Sequence, residues 1–218
     1  MIVWSLNLVG VLIGYLLGSM PSGYLAGRWL KGIDIRQHGS KSTGATNVLR
    51  TLGKWPACIV LAVDVSKGAA AILFVRWLCL WFQTLPATAG SSVELQAWMP
   101  WAVCMGGMAA ILGHSRPIWL NFVGGKSVAT GLGVLLAMSW QVGLGALAIF
   151  VISLALSRIV SLSSMLAALA AIAIVFYLGE PTPYRLLVIA GGVYVIVRHR
   201  SNVVRLLAGR EPRLGQSS

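Results

Sequence analysis

VATGLGVLLAMSWQVGLGALAIFVISLALS, residues 128–157, runs for 30 residues without a charged side chain. Crossing the hydrocarbon core of a bilayer takes about 20 predominantly apolar residues, so this stretch is too long for one untilted helix. Ser139-Trp140-Gln141 lies midway and reads as a turn, which divides the region into two short spans, 127–139 and 142–157. Parity makes this the deciding stretch. Two crossings return the chain to the side it left, whereas a single crossing inverts every loop downstream. A five-span chain, with 127–157 crossing once or partly re-entrant, is the main alternative.

The rest of the sequence supports the membrane reading. Ile2–Ala26 also lacks charge, and the 218 residues are 57% hydrophobic and 10% charged. Mean hydropathy is +0.82. A soluble domain carries about 25% charged residues. The fold class is therefore an all-α polytopic membrane bundle of about seven spans: 2–26, 56–80, 97–113, 127–139, 142–157, 159–178 and 184–197. It forms a single domain, 1–218, with a basic tail over about 198–218. Glu180-Pro181-Thr182-Pro183 forms a turn, because two prolines break a helix there. The first span reads as uncleaved: nothing basic precedes it, and Arg28 and Lys31 follow it.

The net charge of +12 would suit nucleic acid, but it sorts by loop instead. With the N-terminus outside, the inner segments hold Arg28, Lys31, Arg36, Lys41, Arg50, Lys54, Arg116, Lys126, Arg158 and the arginines of the tail. The outer segments keep Glu94 and Glu180, with Arg76 and Arg185 near their borders. That is the positive-inside pattern. It places the C-terminus in the cytoplasm and removes the need for a nucleic-acid partner. Cys58, Cys79 and Cys104 fit no metal spacing and read as small buried hydrophobes. Gly10, Gly14 and Gly18, four apart, are a helix-packing signal.

Several polar stretches share the inner face. His38-Gly-Ser-Lys-Ser-Thr-Gly-Ala-Thr-Asn47, with Arg50 beyond, is rich in hydroxyls and backbone N–H groups and has no carboxylate after Asp34. Converging N–H donors suit an anion; a plain solvated turn is the bland alternative. Val123-Gly-Gly-Lys-Ser-Val-Ala-Thr130 leads straight into an apolar helix. It is no Walker A motif, because Leu120 stands where the first glycine is required. A glycine-rich turn with a snorkelling Lys126 is the alternative there. Asp64 and Lys67, three apart in span two, read either as an ion pair or as a lysine turned toward substrate. Arg158, Ser161 and Ser164 are three apart, as are His199, Asn202 and Arg205, with Glu211 following. The tail could equally lie on anionic lipid headgroups.

In order, these segments resemble the bacterial PlsY family, acyl-phosphate:glycerol-3-phosphate acyltransferases. The resemblance covers Gly18-Ser19-Met20-Pro21, Gly44-Ala45-Thr46-Asn47-Val48 with Arg50 and Gly53, Asp64, and Lys67-Gly68. It continues through His114, Gly124-Gly125-Lys126 with Ala129-Thr130, Ser161, Ser164, His199, Asn202 and Arg205. Two departures stand out. Lys41 and Ser42 replace the usual Gly-Asn after Ser40, and Ser127 replaces the glycine that usually follows the lysine; serine is a good helix N-cap.

The resemblance implies seven spans in a bacterial inner membrane, with acyl transfer to the sn-1 hydroxyl of glycerol 3-phosphate. The expected partners are acyl phosphate, glycerol 3-phosphate and the bilayer. No cofactor or metal is expected, and the chain is expected to be a monomer. The expected catalytic set is Ser40, Asn47, Arg50, Lys126, His199 and Asn202. Ser40, Arg50 and Lys126 of this set, with the amides of the binding residues Gly124 and Gly125, are expected to hold phosphate. Asn47 or Lys126 stabilises the oxyanion, and His199 and Asn202 organise glycerol 3-phosphate. Further binding is expected from Ser42, Gly44, Thr46, Lys67, His114, Ser127, Thr130, Arg158, Ser161, Ser164 and Arg205.

No His-x4-Asp pair exists: Thr43, Trp119 and Val204 stand five residues after the three histidines. A substrate phosphate is therefore the expected proton acceptor, with a second pKa of about 6, and His199 is the fallback. The rival readings are a transporter for a phosphorylated small anion and a CDP-alcohol phosphotransferase. The latter needs clustered aspartates, and the chain has only Asp34 and Asp64.

Overall fold

Pro21 interrupts the first long apolar stretch and sets the first departure from expectation. Helix α1 (Ile2–Ser19) stops two residues before it, and α2 (Ser22–Lys31) starts one residue after it. Proline has no N–H to donate and pushes the preceding residue out of helical conformation. The expected 2–26 span is thus a shorter helix followed by an amphipathic one carrying exposed Trp29 and Leu30. In this computed structural model, residues 2–85 and 92–215 are described.

The chain continues through α3 (Ala45–Leu52), α4 (Lys54–Gln83), α5 (Ser92–Ser115), α6 (Val128–Met138), α7 (Trp140–Ser157), α8 (Val160–Tyr177), α9 (Thr182–Arg198) and α10 (Arg200–Leu207). Single 3-10 turns lie at Ile35–Gln37 and Ile118–Leu120. Among the described residues there is no strand, as expected where lipid leaves backbone groups no other partner. Among the described residues, five helical stretches are long and apolar enough to cross a membrane: Trp4–Lys31, Lys54–Gln83, Val93–Leu120, Trp140–Ser157 and Val160–Tyr177. Helices α6, with 11 residues, and α9, with 17, are shorter. The link expected through Glu94 is shorter than drawn: Glu94 sits in the first turn of α5, where a carboxylate meets the positive helix end. The rest of that link, 86–91, lies outside the described residues.

The turn at Ser139 exists and is a single residue. Ser139 is extended (φ −146°, ψ 102°) between α6 and α7. Gly143 then lies so close to the backbone of Leu136 that a Cβ would come within 2.7 Å of it. Helix α6 therefore runs away from the end that begins at Lys126, and α7 returns toward it.

Helices α4, α6, α7, α8, α9 and α5 pack in that order around a ring, each against the next and α5 back against α4. Helix α1 lies outside the ring against α5 and α4. The glycine spacing of α1 serves this contact: a Cβ on Gly18 would strike the carbonyl oxygen of Ala110. The same device seats α6 on α4, where a Cβ on Gly133 would strike the carbonyl of Val65. Such crossings rest on backbone contact because lipid supplies no hydrophobic drive between helices.

Arg76 answers a problem that the short α6 creates. A helix leaves its last carbonyls without partners, and α6 ends beside other helices. The Arg76 guanidinium, reaching from α4, donates to the carbonyls of Ala137 (2.8 Å) and Met138 (2.9 Å) and to the Tyr184 hydroxyl of α9 (3.2 Å). One side chain thereby ties three helices together at the end opposite Lys126.

Candidate active site

The loop from His38 to Asn47 is built around one amide. Asn47 is 1% exposed. Its Oδ1 accepts from the Ser40 N–H at 2.7 Å, and its Nδ2 donates to the carbonyls of Ile35, His38 and Ser42 at 3.1, 3.0 and 2.8 Å. With both Nδ2 hydrogens committed, Asn47 has no donor left for an oxyanion. Its expected catalytic role is corrected to that of a positioning residue that shapes the loop. The loop feeds α3, whose first residues, Ala45 and Thr46, border a cavity together with Ser40, Ser42 and Gly44. Arg50, one turn on, lines the same cavity and has no hydrogen-bond or ion-pair partner among the described residues.

Lys126 enters from the opposite wall. Its Nζ donates to Asn202 Oδ1 at 2.5 Å. The residues after it, Ser127, Val128 and Ala129, start α6 and also line the cavity. Two helix N-termini thus border one mouth, each offering free N–H groups and a partial positive charge. Burial lowers the Lys126 pKa to about 8, and the nearby Arg205, Arg198 and Arg50 add to the effect while Glu211 opposes it.

The tail completes the ring of polar groups. Glu211 returns to the cavity and accepts from Ser161 Oγ (2.7 Å), Asn202 Nδ2 (2.5 Å) and Arg205 Nε (2.7 Å). Burial alone would raise its pKa, but these three donors outweigh that and hold it below the ordinary carboxylate value. The Leu214 N–H donates to the carbonyl of Arg158 and fixes the returning segment. His199 is buried, with Nδ1 2.7 Å from the carbonyl oxygen of Val195. That carbonyl can only accept, so Nδ1 carries the proton and Nε2 is left as an acceptor. Burial lowers the His199 pKa to about 4, helped by the neighbouring Lys126 and Arg198 cations.

The cavity, about 280 Å³ in volume, gathers 14 of the residues expected at the site. They are Ser40, Ser42, Gly44, Thr46, Asn47, Arg50, His114, Lys126, Ser127, Ser161, Ser164, His199, Asn202 and Arg205. Five others lie elsewhere, each for a physical reason. The amides of Gly124 and Gly125 donate to the carbonyls of Ser115 and His114, so they do not point at a ligand. Gly125 is instead required because a Cβ would run into the His114 ring. Lys67 is 2.8 Å from Asp64 Oδ1 and donates to the carbonyl of Met20 at the α1–α2 break. Thr130 is wholly buried where α6 crosses α4. Arg158 is exposed in left-handed conformation (φ 59°) and contributes its carbonyl rather than its guanidinium. Ser127 stands at the N-cap position without capping; its hydroxyl donates to the Ile111 carbonyl at 2.7 Å.

Two contributors escaped the sequence. Glu211 follows the three-residue spacing of the tail but falls outside its period, so only the return of the chain reveals it. Arg198 donates to the carbonyl of Gly125 at 3.0 Å and holds the Gly-Gly-Lys loop. Its place in a basic tail made it look like one headgroup contact among many.

Away from the polar mouth the cavity becomes an apolar arm between α6, α7, α8 and α9. Leu147, Phe150, Ala168, Ala171, Leu187 and Gly191 are among its walls. An all-helical membrane bundle whose cavity carries cations and helix starts at one end and an apolar arm beyond them has the form of an integral membrane enzyme of lipid chemistry. The family model described as glycerol-3-phosphate acyltransferase matches residues 8–209. The chain belongs to that family and is an acyltransferase.

It is 67% identical to glycerol-3-phosphate acyltransferase 2 of Rhizobium johnstonii over 99% of both chains. It is 56% identical to the glycerol-3-phosphate acyltransferase of Acaryochloris marina over 99% of this chain and 96% of that one. Its fold is similar to the crystal structure of PlsY, an integral membrane glycerol 3-phosphate acyltransferase, in its glycerol 3-phosphate form. That match has a TM-score of 0.82 and 36% identity, and it covers 96% of each chain. The lysophosphatidic acid form matches with a TM-score of 0.80.

Proposed function

We propose that the chain transfers an acyl group from acyl phosphate to the sn-1 hydroxyl of glycerol 3-phosphate, giving 1-acylglycerol 3-phosphate and inorganic phosphate. It works as a single domain and a monomer at the cytoplasmic face of a bacterial inner membrane. In this placement α1 and α4–α9 make seven spans with the N-terminus outside, and the positive-inside distribution of charge supports it. The observation that carries the reading is one mouth bearing Arg50, Lys126, Arg205 and two helix starts, opening into an apolar arm. Two phosphates and a hydrocarbon chain match it.

The sn-1 oxygen attacks the acyl carbonyl carbon, the carbon–oxygen bond to phosphate breaks, and phosphate leaves with the electron pair. Lys126 faces the developing oxyanion, while Ser40 and Arg50 hold the donor's phosphate and Asn202 helps place the acceptor. The hydroxyl proton passes to a substrate phosphate oxygen. With a second pKa of about 6, phosphate is a stronger base than His199 at about 4. His199 Nε2 instead accepts a hydrogen bond from the neighbouring sn-2 hydroxyl and so orients the acceptor. Because acyl phosphate is already activated, positioning supplies much of the rate.

Purified enzyme given palmitoyl phosphate and labelled glycerol 3-phosphate, with chelator present, should form labelled 1-acylglycerol 3-phosphate and phosphate in equal amounts. Uptake of glycerol 3-phosphate into liposomes without acylation would instead support transport.

A further inference from the structure

The apolar arm has a closed end, and its floor is identifiable. Along α8 the cavity is lined from Val160 to Ala171, eleven helical steps, or about 16.5 Å at 1.5 Å per residue. Along α7 its last lining residue in the same direction is Ala146, and along α9 Leu187. One helical turn further on stand Val142 on α7 and Val175 on α8, each at 0% exposure and neither lining the cavity. They pack with Met138 and Tyr184 in the same buried cluster. This layer does not float. The Arg76 guanidinium binds the carbonyls of Ala137 and Met138 and the hydroxyl of Tyr184, fixing α4, α6 and α9 at this level. The walls above the floor are small at Ala146, Ala167, Ala168, Ala171, Gly191 and Gly192, which leaves width for a methylene chain.

We infer that Val142 and Val175 form an end-stop for the acyl chain and, with Ala171 above them, determine the donor chain length the enzyme prefers. The inference rests on the acyl-phosphate reading above and adds which residues meet the terminal methyl group. A chain that reaches the floor gains burial with every methylene, whereas a longer one must buckle or displace a close-packed layer. Raising the floor therefore shortens the preferred donor, and lowering it lengthens it.

The test uses full-length purified enzyme and a ladder of saturated acyl phosphates from decanoyl to stearoyl, with the rate of 1-acylglycerol 3-phosphate formation read for each. Ala171→Phe fills about one helical turn of the arm, 5.4 Å. A staggered chain with carbon–carbon bonds of about 1.5 Å advances about 1.3 Å per methylene, so the optimum should move down by about four methylenes. Val175→Ala and Val142→Ala should each move it up by about one methylene, and the double variant by about two. Should Ala171→Phe fail to accumulate in membranes, the two alanine variants decide the matter. Unchanged chain-length profiles in active variants overturn the end-stop and leave acyl transfer standing. A wild-type enzyme that acylates from none of these donors overturns the underlying reading instead.

Discussion

Two cation-bearing clusters in this molecule, one closed off by protein and one partly exposed, do opposite work. In the first, Asp64 gathers Lys67 at 2.8 Å, the Ser22 hydroxyl at 2.6 Å and the His114 ring at 3.5 Å, and Lys67 also reaches the Met20 carbonyl. Both charged side chains are almost wholly buried, and the ammonium is spent on protein partners. In the second, Lys126, Asn202, Glu211, Arg205 and Arg50 surround open space, and only one carboxylate stands among three cations. A balanced pair, sealed from solvent although Asp64 edges the same cavity, locks the α1–α2 break to α4; an unbalanced, open cluster suits an anionic ligand. The sequence offers the same residue types in both places.

Breaking the sealed cluster should have the largest effect. Asp64→Asn removes the carboxylate and leaves the Lys67 ammonium buried without its counterion, a change that costs about 3–5 kcal/mol in such sites. The expected result is loss of folded protein, read as membrane yield and detergent-solubilised melting. The double variant Asp64→Asn with Lys67→Met should recover much of that loss. Failure of the double variant to recover would mean that the pair is more than a structural lock.

The open cluster should respond in rate rather than in folding. Lys126→Ala is expected to lower kcat by about a hundredfold to a thousandfold, the effect of removing one donor to a developing oxyanion, with ordinary membrane yield. Near-normal turnover would remove Lys126 from the chemistry. The same lysine sets a pH limit. Its pKa of about 8 means that the charge is present below that pH and disappears as pH rises through it. His199, at about 4, is neutral above that value. Activity should therefore rise as the substrate phosphate loses its second proton near pH 6 and fall on the alkaline side near pH 8. Lys126→Arg, if active, should move that alkaline fall upward.

How much of this was legible beforehand follows from the same contrast. Runs of apolar residues announced the all-helical membrane bundle and the break at Ser139, because apolar length is a property of composition. Charge placement brought Arg50, Lys126 and the tail to one face. Sequence spacing could not tell which donors are free. The Gly124 and Gly125 amides look available until the carbonyls of Ser115 and His114 are seen to take them. Asn47 looks like an oxyanion donor until three carbonyls claim its amide. Availability is a tertiary property. The return of Glu211 to Ser161 is likewise set by a tail that folds back over 50 positions of sequence.

The smallest expected effects concern Lys41 and Ser127 in the two loops that border the cavity. Lys41 (φ 56°) and Ser127 (φ 63°) both occupy left-handed backbone, where a side chain costs about 1 kcal/mol and glycine costs little. Glycine gives back part of that through the freer unfolded chain, a few tenths to about 1 kcal/mol. Lys41 is exposed and its side chain makes no hydrogen bond among the described residues, so Lys41→Gly should stabilise slightly, by about 0.5 kcal/mol. Ser127 differs because its buried hydroxyl donates to the Ile111 carbonyl, a bond worth about 1 kcal/mol. Ser127→Gly should therefore be neutral or slightly destabilising despite the same relief of strain. Melting of the two variants side by side in one detergent separates these cases. Equal stabilisation by both would mean that the Ser127 hydroxyl contributes nothing, and that only backbone conformation distinguishes this chain's loops from their glycine-bearing counterparts.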